Sequence, residues 1–230
     1  MLVKNWMSRK VITIDPEDSM AHAAELIREH KVHMLPVTRK GKLVGVVSDS
    51  DLKRASASDA TTLEAHELLY LLAKVKIKEI MSKNPVTVPP DHTVEETAEI
   101  LLQNNISGVP VVDTEGELAG IITRDDLFKV LIALSGLGKK GIQFACKVED
   151  RPGSIKEIGD IIRAHGGRLA SVLSSYERVP AGYRIVYIRA YNLNREKLAQ
   201  LIEEINVKAP LYYIVDHRTN KRQIFRDLEA

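Results

Sequence analysis

Apolar and polar positions along the first half of the chain follow one pattern, written twice. Val11-Ile12-Thr13-Ile14 reads as a short strand, and Val86-Thr87-Val88 is its counterpart. Pro16 and the pair Pro89-Pro90 mark the turns that follow. Met20, Ala23, Ala24 and Ile27 then fall at i, i+3, i+4 and i+7, the apolar face of a helix. In the second copy Val94, Ala98 and Leu101 repeat that face behind Thr93-x-x-Glu96, a capping box. Residues 32–38 and 43–48 are expected as two strands, turning at Lys40-Gly41-Lys42, with Glu115-Gly116-Glu117 as the matching turn. A last helix opens at Ser48 in one copy and at Thr123 in the other. Each copy therefore reads β-α-β-β-α.

Residues 3–54 lie over residues 77–129 at an offset of 74, which becomes 75 after a one-residue insertion before Gly116. Met7/Met81, Ser8/Ser82, Pro36/Pro110, Gly45/Gly120 and Asp51/Asp126 are among the pairs in register. Two copies are too few for a solenoid, so a pseudo-symmetric pair packed face to face is expected. Between them, residues 55–62 are small and polar and read as a loop. Residues 62–75, with Leu63, Leu68, Leu69, Leu71 and Leu72, read as an extra helix that supplies core or dimer contacts.

The pattern then changes. Residues 134–141 form a glycine-rich linker. Beyond it come a strand at 142–148, a loop from Glu149 to Ser154, and a helix with Ile155, Ile158, Ile162 and His165 on one face. Gly166 suits the position just past that helix. Residues 168–178 and 183–190 form a hairpin, Leu198, Leu201, Ile202 and Ile205 make a second helical face, and Pro210 precedes a last strand at 211–215. The order β-α-β-β-α-β is the ferredoxin-like one. Residues 217–230 are polar and read as a solvated tail.

One stretch carries chemistry. Gly45-Val46-Val47-Ser48-Asp49-Ser50-Asp51 and Gly120-Ile121-Ile122-Thr123-Arg124-Asp125-Asp126 share a glycine, two apolar residues, a hydroxyl and a final Asp. A strand ending at a helix start leaves backbone N–H groups for an anion. The Asp three residues on could accept two hydrogen bonds from a ribose diol. The same Ser/Thr-x-x-Asp is equally a plain capping box, so both readings stand at this point.

Composition narrows the class. The 230 residues are 44% apolar and 28% charged, with a net charge of +2, which suits a globular chain without a nucleic-acid or membrane field. Apolar runs fall short of a membrane span, and the first residues have no signal-peptide core, so a cytoplasmic placement is expected. Cys146 is the single cysteine; it reads as a small buried hydrophobe or, alternatively, as a reactive thiol. His30-x-x-His33 straddles a helix end without a third ligand, so no metal site is expected. No Ser-His-Asp arrangement, paired carboxylates or phosphate-binding Gly-Lys loop can be placed, so no enzyme is expected.

The repeats resemble a tandem pair of CBS domains, a Bateman module, through Met7-Ser8 and Met81-Ser82, Leu35-Pro36-Val37 and Val109-Pro110-Val111, and both copies of the glycine-to-Asp stretch. The C-terminal part resembles an ACT domain through Asp150-x-Pro152-Gly153-x-Ile155 and Ala164-His165-Gly166-Gly167. The combination resembles the acetoin-utilisation protein B family. The fold class expected is α/β (α+β): CBS copies at 1–58 and 77–135, a connecting helix at 59–76, a linker at 136–141, an ACT-like domain at 142–216 and a tail at 217–230.

That resemblance implies a sensor for an adenosine nucleotide (AMP, ADP, ATP or S-adenosylmethionine), a homodimer, and an unidentified regulated protein, in acetoin or carbon metabolism. Asp51 and Asp126 would hold ribose hydroxyls, and Ser48 and Thr123 would meet a phosphate or the ribose. Val11, Ile12, Val86 and Thr87 would frame adenine, as would His33-Met34-Leu35-Pro36 and Ser107-Gly108-Val109-Pro110. Arg124, a permanent cation, favours the second motif for phosphate, whereas Asp49 would repel it at the first, partly offset by a protonated His33. Asp150, Pro152 and Gly153 would form an amino-acid loop, weakened by Arg168 where the pattern often has Asn. The competing function is a structural dimerisation module with empty sites.

Overall fold

The computed structural model describes residues 1–59 and 74–227. Two compact units divide the chain, Met1–Phe128 and Lys129–Ala230. The expected helix at 62–75 and its leucines fall almost wholly outside the described residues.

In the N-terminal unit the first copy contains α1 (Met20–His30), β1 (Met34–Arg39), β2 (Lys42–Ser48) and α2 (Asp49–Asp59). The second opens with a single turn, α3 (Ile77–Ile80), and the short β3 (Ser82–Lys83). It continues with α4 (Val94–Gln103), β4 (Gly108–Val112), β5 (Leu118–Thr123) and α5 (Arg124–Leu134), whose last turns run into the second unit. Each expected opening strand contracts to one residue. Ile14 bridges Val37 in parallel, and Val88 bridges Val111 likewise. The prolines at 16 and 89–90 end the extended run before a ladder can grow.

Helix starts follow their caps. Ser19 accepts a bond from the His22 N–H, and Thr93 and Glu96 close a reciprocal capping box. On α1 the buried residues are Met20 and Ala23, with Leu26 and Ile27 packed against the core. Ala24 is exposed instead, because the stripe drifts toward Leu26 over two turns. Residues 55–59, expected in a loop, continue α2 to Asp59, since small residues such as Ala55 and Ser56 are tolerated inside a helix. The Ser56 hydroxyl back-bonds to the Leu52 carbonyl.

The two copies exchange their leading segments. Ile77 and Lys78 of the second copy donate backbone bonds to Asp18 and Pro16 of the first. Val3 and Lys4 of the first donate to His92 and Pro90 of the second. Ile77 is fully buried in the first copy's core with Leu35, Val37, Val47 and Leu52. Burying an isoleucine is worth about 1.5–3 kcal/mol, so the exchange fixes the pairing. β3 pairs antiparallel with β2, and Ser8 bridges Ile121 of β5 in the same way. A Cβ on Gly45 would stand 2.8 Å from Met81 Sδ and 3.0 Å from the Ser82 carbonyl; one on Gly120 would stand 2.6 Å from Met7 Sδ and 2.9 Å from the Ser8 carbonyl. Each motif opens with glycine because the other copy's Met-Ser lies on it.

In the C-terminal unit, β6 (Ile142–Glu149), α6 (Ser154–Ala164), β7 (Arg168–Ser175), β8 (Tyr183–Tyr191), α7 (Leu198–Lys208) and β9 (Leu211–Asp216) follow in order. The sheet order β10-β9-β6-β8-β7 is all antiparallel, and its four inner strands have the ferredoxin-like arrangement. The expected polar tail is instead partly ordered as β10 (Lys221–Ile224), paired along β9, and Phe225 packs on the core. Pairing satisfies an edge that would otherwise be open, which a polar strand can do as well as an apolar one. Phe144, Cys146, Ile158, Ile162, Val186, Ile188, Leu201 and Ile205 form the core between sheet and helices. Burial pushes the Cys146 thiol up to about 12, so the buried-hydrophobe reading holds over the reactive one. Gly166, at φ 78°, closes α6 as expected, and its N–H bonds to the Arg163 carbonyl. His165 faces Glu204 of α7 at 3.0 Å.

Candidate functional site

Both motifs sit where strand passes into helix, and both close the same box. The Asp51 Oδ2 accepts from the Ser48 N–H at 2.9 Å and the Ser48 hydroxyl at 2.6 Å, and the Asp51 N–H returns a bond to Ser48 Oγ at 3.2 Å. Asp126 Oδ2 does the same with Thr123, at 3.1, 2.8 and 3.4 Å. The residue after each hydroxyl is held symmetrically: the Asp49 N–H bonds the His33 carbonyl, and the Arg124 N–H bonds the Ser107 carbonyl. The capping reading is therefore realised in both copies. It leaves Asp51 Oδ1 outside the box, where Arg54 donates to it.

A cavity of about 460 Å³ opens beside the first motif. Ser48, Asp49, Asp51 and Arg54 line it from the first copy, with Met34. Val86, Ser107, Gly108 and Pro110 line it from the second, with Lys83, Asn84 and Asn105. The exchanged leading segment is what carries Lys83 to the first motif, through β3 on β2. Asn84 and Asn105 both adopt φ of 50°, a conformation that a short polar side chain tolerates.

Of the residues expected at a ligand, the structure brings together Ser48, Asp51, Met34, Val86, Ser107, Gly108 and Pro110. Val11, Ile12, Thr87, His33 and Pro36 do not line this cavity, and Val109 is fully buried in the core. Thr123, Arg124 and Asp126 lie apart from it as well. Sequence reasoning missed Arg54, Lys83, Asn84 and Asn105. Arg54 had a readable signal, since i and i+3 share a helix face. The other three had none, because only the exchange between copies aims them at this motif.

The charge at the first motif also differs from expectation. Burial raises the Asp49 carboxyl, but a hydrogen bond and the charge of Lys53 outweigh it and hold Asp49 below the usual carboxylate range. Lys53 stands 3.2 Å from Asp49, so the acid expected to repel phosphate has a cation of its own. Arg54 and Lys83 add two cations to the lining. At the second motif, the Arg124 Nε is buried without a hydrogen bond.

In the C-terminal unit, Asp150 is engaged by Tyr176, whose hydroxyl donates at 3.3 Å, and by Arg184 at 3.6 Å. Gly153 stands before α6 at φ 88°, and Pro152 is exposed beside it. A separate cavity of about 440 Å³, lined by Arg151, Ser154, Glu157, Tyr183 and Lys208, lies next to that loop. Arg151 hydrogen-bonds Glu157 and lowers its carboxyl to about 2. Among the described residues, no three His, Cys, Asp or Glu stand together as a metal site, and no helix is long and apolar enough to cross a membrane.

Two swapped copies around a shared cleft, each closed by a Ser/Thr-x-x-Asp box, define a tandem-repeat module. A family model for the CBS domain matches residues 3–58 and 77–133. A CBS domain-containing protein of Dictyostelium discoideum is 35% identical over 133 residues, 57% of this chain and 92% of that relative. The chain belongs to the CBS domain family. Among solved structures, one described as an acetoin utilization protein from Vibrio cholerae is similar at 26% identity and a TM-score of 0.51, covering 60% of this chain and 95% of that one. A CBS domain pair solved with 5′-methylthioadenosine and S-adenosyl-L-methionine, from a Methanocaldococcus jannaschii protein, is 32% identical across 57% of this chain and 99% of its own, at a TM-score of 0.49.

Proposed function

We propose that the chain is a regulatory, non-catalytic sensor whose CBS pair binds an adenosine nucleotide in the cavity beside Ser48 and Asp51. The observation that carries this reading is the composition of that cavity. It presents a carboxylate for a sugar diol, two cations for phosphate, two carboxamides, and an apolar wall from Met34, Val86 and Pro110. The Arg124 side of the module is a second candidate, proposed on charge. A thermal-shift screen of AMP, ADP, ATP, S-adenosylmethionine, NAD and free amino acids tests the reading. A ligand at a hundred times its Kd adds about 2.7 kcal/mol to stability. A flat screen favours a dimerisation module with empty sites.

The signal would pass to an ACT-like C-terminal domain or to a regulated protein. Supporting this, α5 starts at the Thr123–Asp126 box and ends at Ser135, whose carbonyl accepts from Arg189 Nε at 2.6 Å and the Ser171 hydroxyl at 2.7 Å. Such a helix can bias the second domain only if ligand favours one of two states. Exposed Phe128, Leu131 and Ile132, at i, i+3 and i+4 on α5, support a homodimer. A monomer mass by light scattering at micromolar concentration argues against it. The likeness to the Vibrio cholerae protein supports a place in acetoin or carbon metabolism.

A further inference from the structure

The Asp51 carboxylate has its two oxygens in different hands. Oδ2 is locked in the Ser48 box, and Oδ1 takes the Arg54 guanidinium. Arg54 therefore holds the very oxygen that a ribose diol would need. The two partners differ in freedom: the Asp51 side chain is 13% exposed and that of Arg54 is 77% exposed. Asp51 is fixed by its box, whereas Arg54 has no other polar contact among the described residues and lines the same cavity.

Resting on the adenosine-nucleotide reading of this cavity, we infer that Arg54 is a partner-exchanging specificity residue that selects phosphorylated nucleosides. In the free protein it neutralises Asp51. When ribose hydroxyls take Asp51 Oδ1, the guanidinium turns to the ligand's phosphate. A planar, permanently charged fork pairs equally well with carboxylate and phosphate, which is what an exchange needs. A nucleoside without phosphate breaks the Arg54–Asp51 pair and returns nothing to the guanidinium. A nucleoside monophosphate replaces it. Lys83 is a lysine point charge in the same lining and adds attraction without this exchange.

Calorimetry of AMP and of adenosine with the full chain, as wild type, Arg54→Ala and Arg54→Gln, tests this. AMP affinity should fall about tenfold or more in both variants, as one charge-assisted contact is lost. Adenosine affinity should rise about threefold, because the competing partner of Asp51 is gone. Opposite movement of the two ligands is the signature. An AMP loss with unchanged adenosine makes Arg54 a simple phosphate contact and overturns the exchange. A rise for both makes it a mere blocker and overturns the selectivity. No binding of either ligand to the wild type overturns the adenosine reading of the cavity and the inference with it.

Discussion

At Asp51 and Asp126 the same three hydrogen bonds close the same box at the same strand-to-helix junction, yet the two carboxylates keep different company. Asp51 meets Arg54 and borders a cavity built half from the other copy. Asp126 is buried at the second motif, next to Arg124 rather than Asp49. A repeated motif thus guarantees a repeated backbone and not a repeated site. What distinguishes the copies is supplied by the partner segment across the pseudo-symmetry axis.

The largest effects should come from the glycines that admit those segments. Gly45→Ala and Gly120→Ala each force a Cβ onto a methionine sulfur and a backbone carbonyl of the other copy. The sulfur can swing away and the carbonyl cannot, so each should cost about 1–3 kcal/mol in chemical denaturation. Gly120→Ala should cost more, since its contacts are shorter, at 2.6 and 2.9 Å against 2.8 and 3.0 Å. Neutral behaviour of both would refute the exchange of leading segments as the reason for glycine.

Next comes the acid itself. Asp51→Asn keeps the shape and much of the cap but loses the charge, so nucleotide affinity at this cavity should fall at least about tenfold. Asp126→Asn should leave that cavity's affinity within about twofold, since Asp126 is not part of its lining. Titration calorimetry giving equal losses would mean the two motifs serve one site. A fall in melting temperature without any change in binding would mean capping is the whole role of Asp51.

Smaller still is the difference between the helix starts. Thr93→Ala removes a reciprocal box on α4, whereas Ser19→Ala removes a single bond on α1. Denaturation should show about 1 kcal/mol lost at Thr93 and about 0.5 kcal/mol at Ser19. The reverse order would show that the first copy leans on its cap more than its hydrogen bonds indicate.

Much of this was legible in the chain. The copy boundaries, the box at Ser48 and Thr123, the cap at Thr93 and the ferredoxin-like order all rest on local signals: periodicity, caps, turns and a repeat. Such signals are encoded within a few residues, so they survive being read one segment at a time. The misses share the opposite property. The opening strands shrank to single bridges at Ile14 and Val88, and the polar run at 221–224 became an edge strand, because pairing depends on a neighbour far along the chain. Lys83, Asn84 and Asn105 reached the first motif only because the second copy's leading segment crosses to β2. The sequence by itself determined two copies of one fold and the box in each. Tertiary structure alone decided which residues share a cavity, since that follows from burying Ile77 in the other copy's core and not from any spacing along the chain.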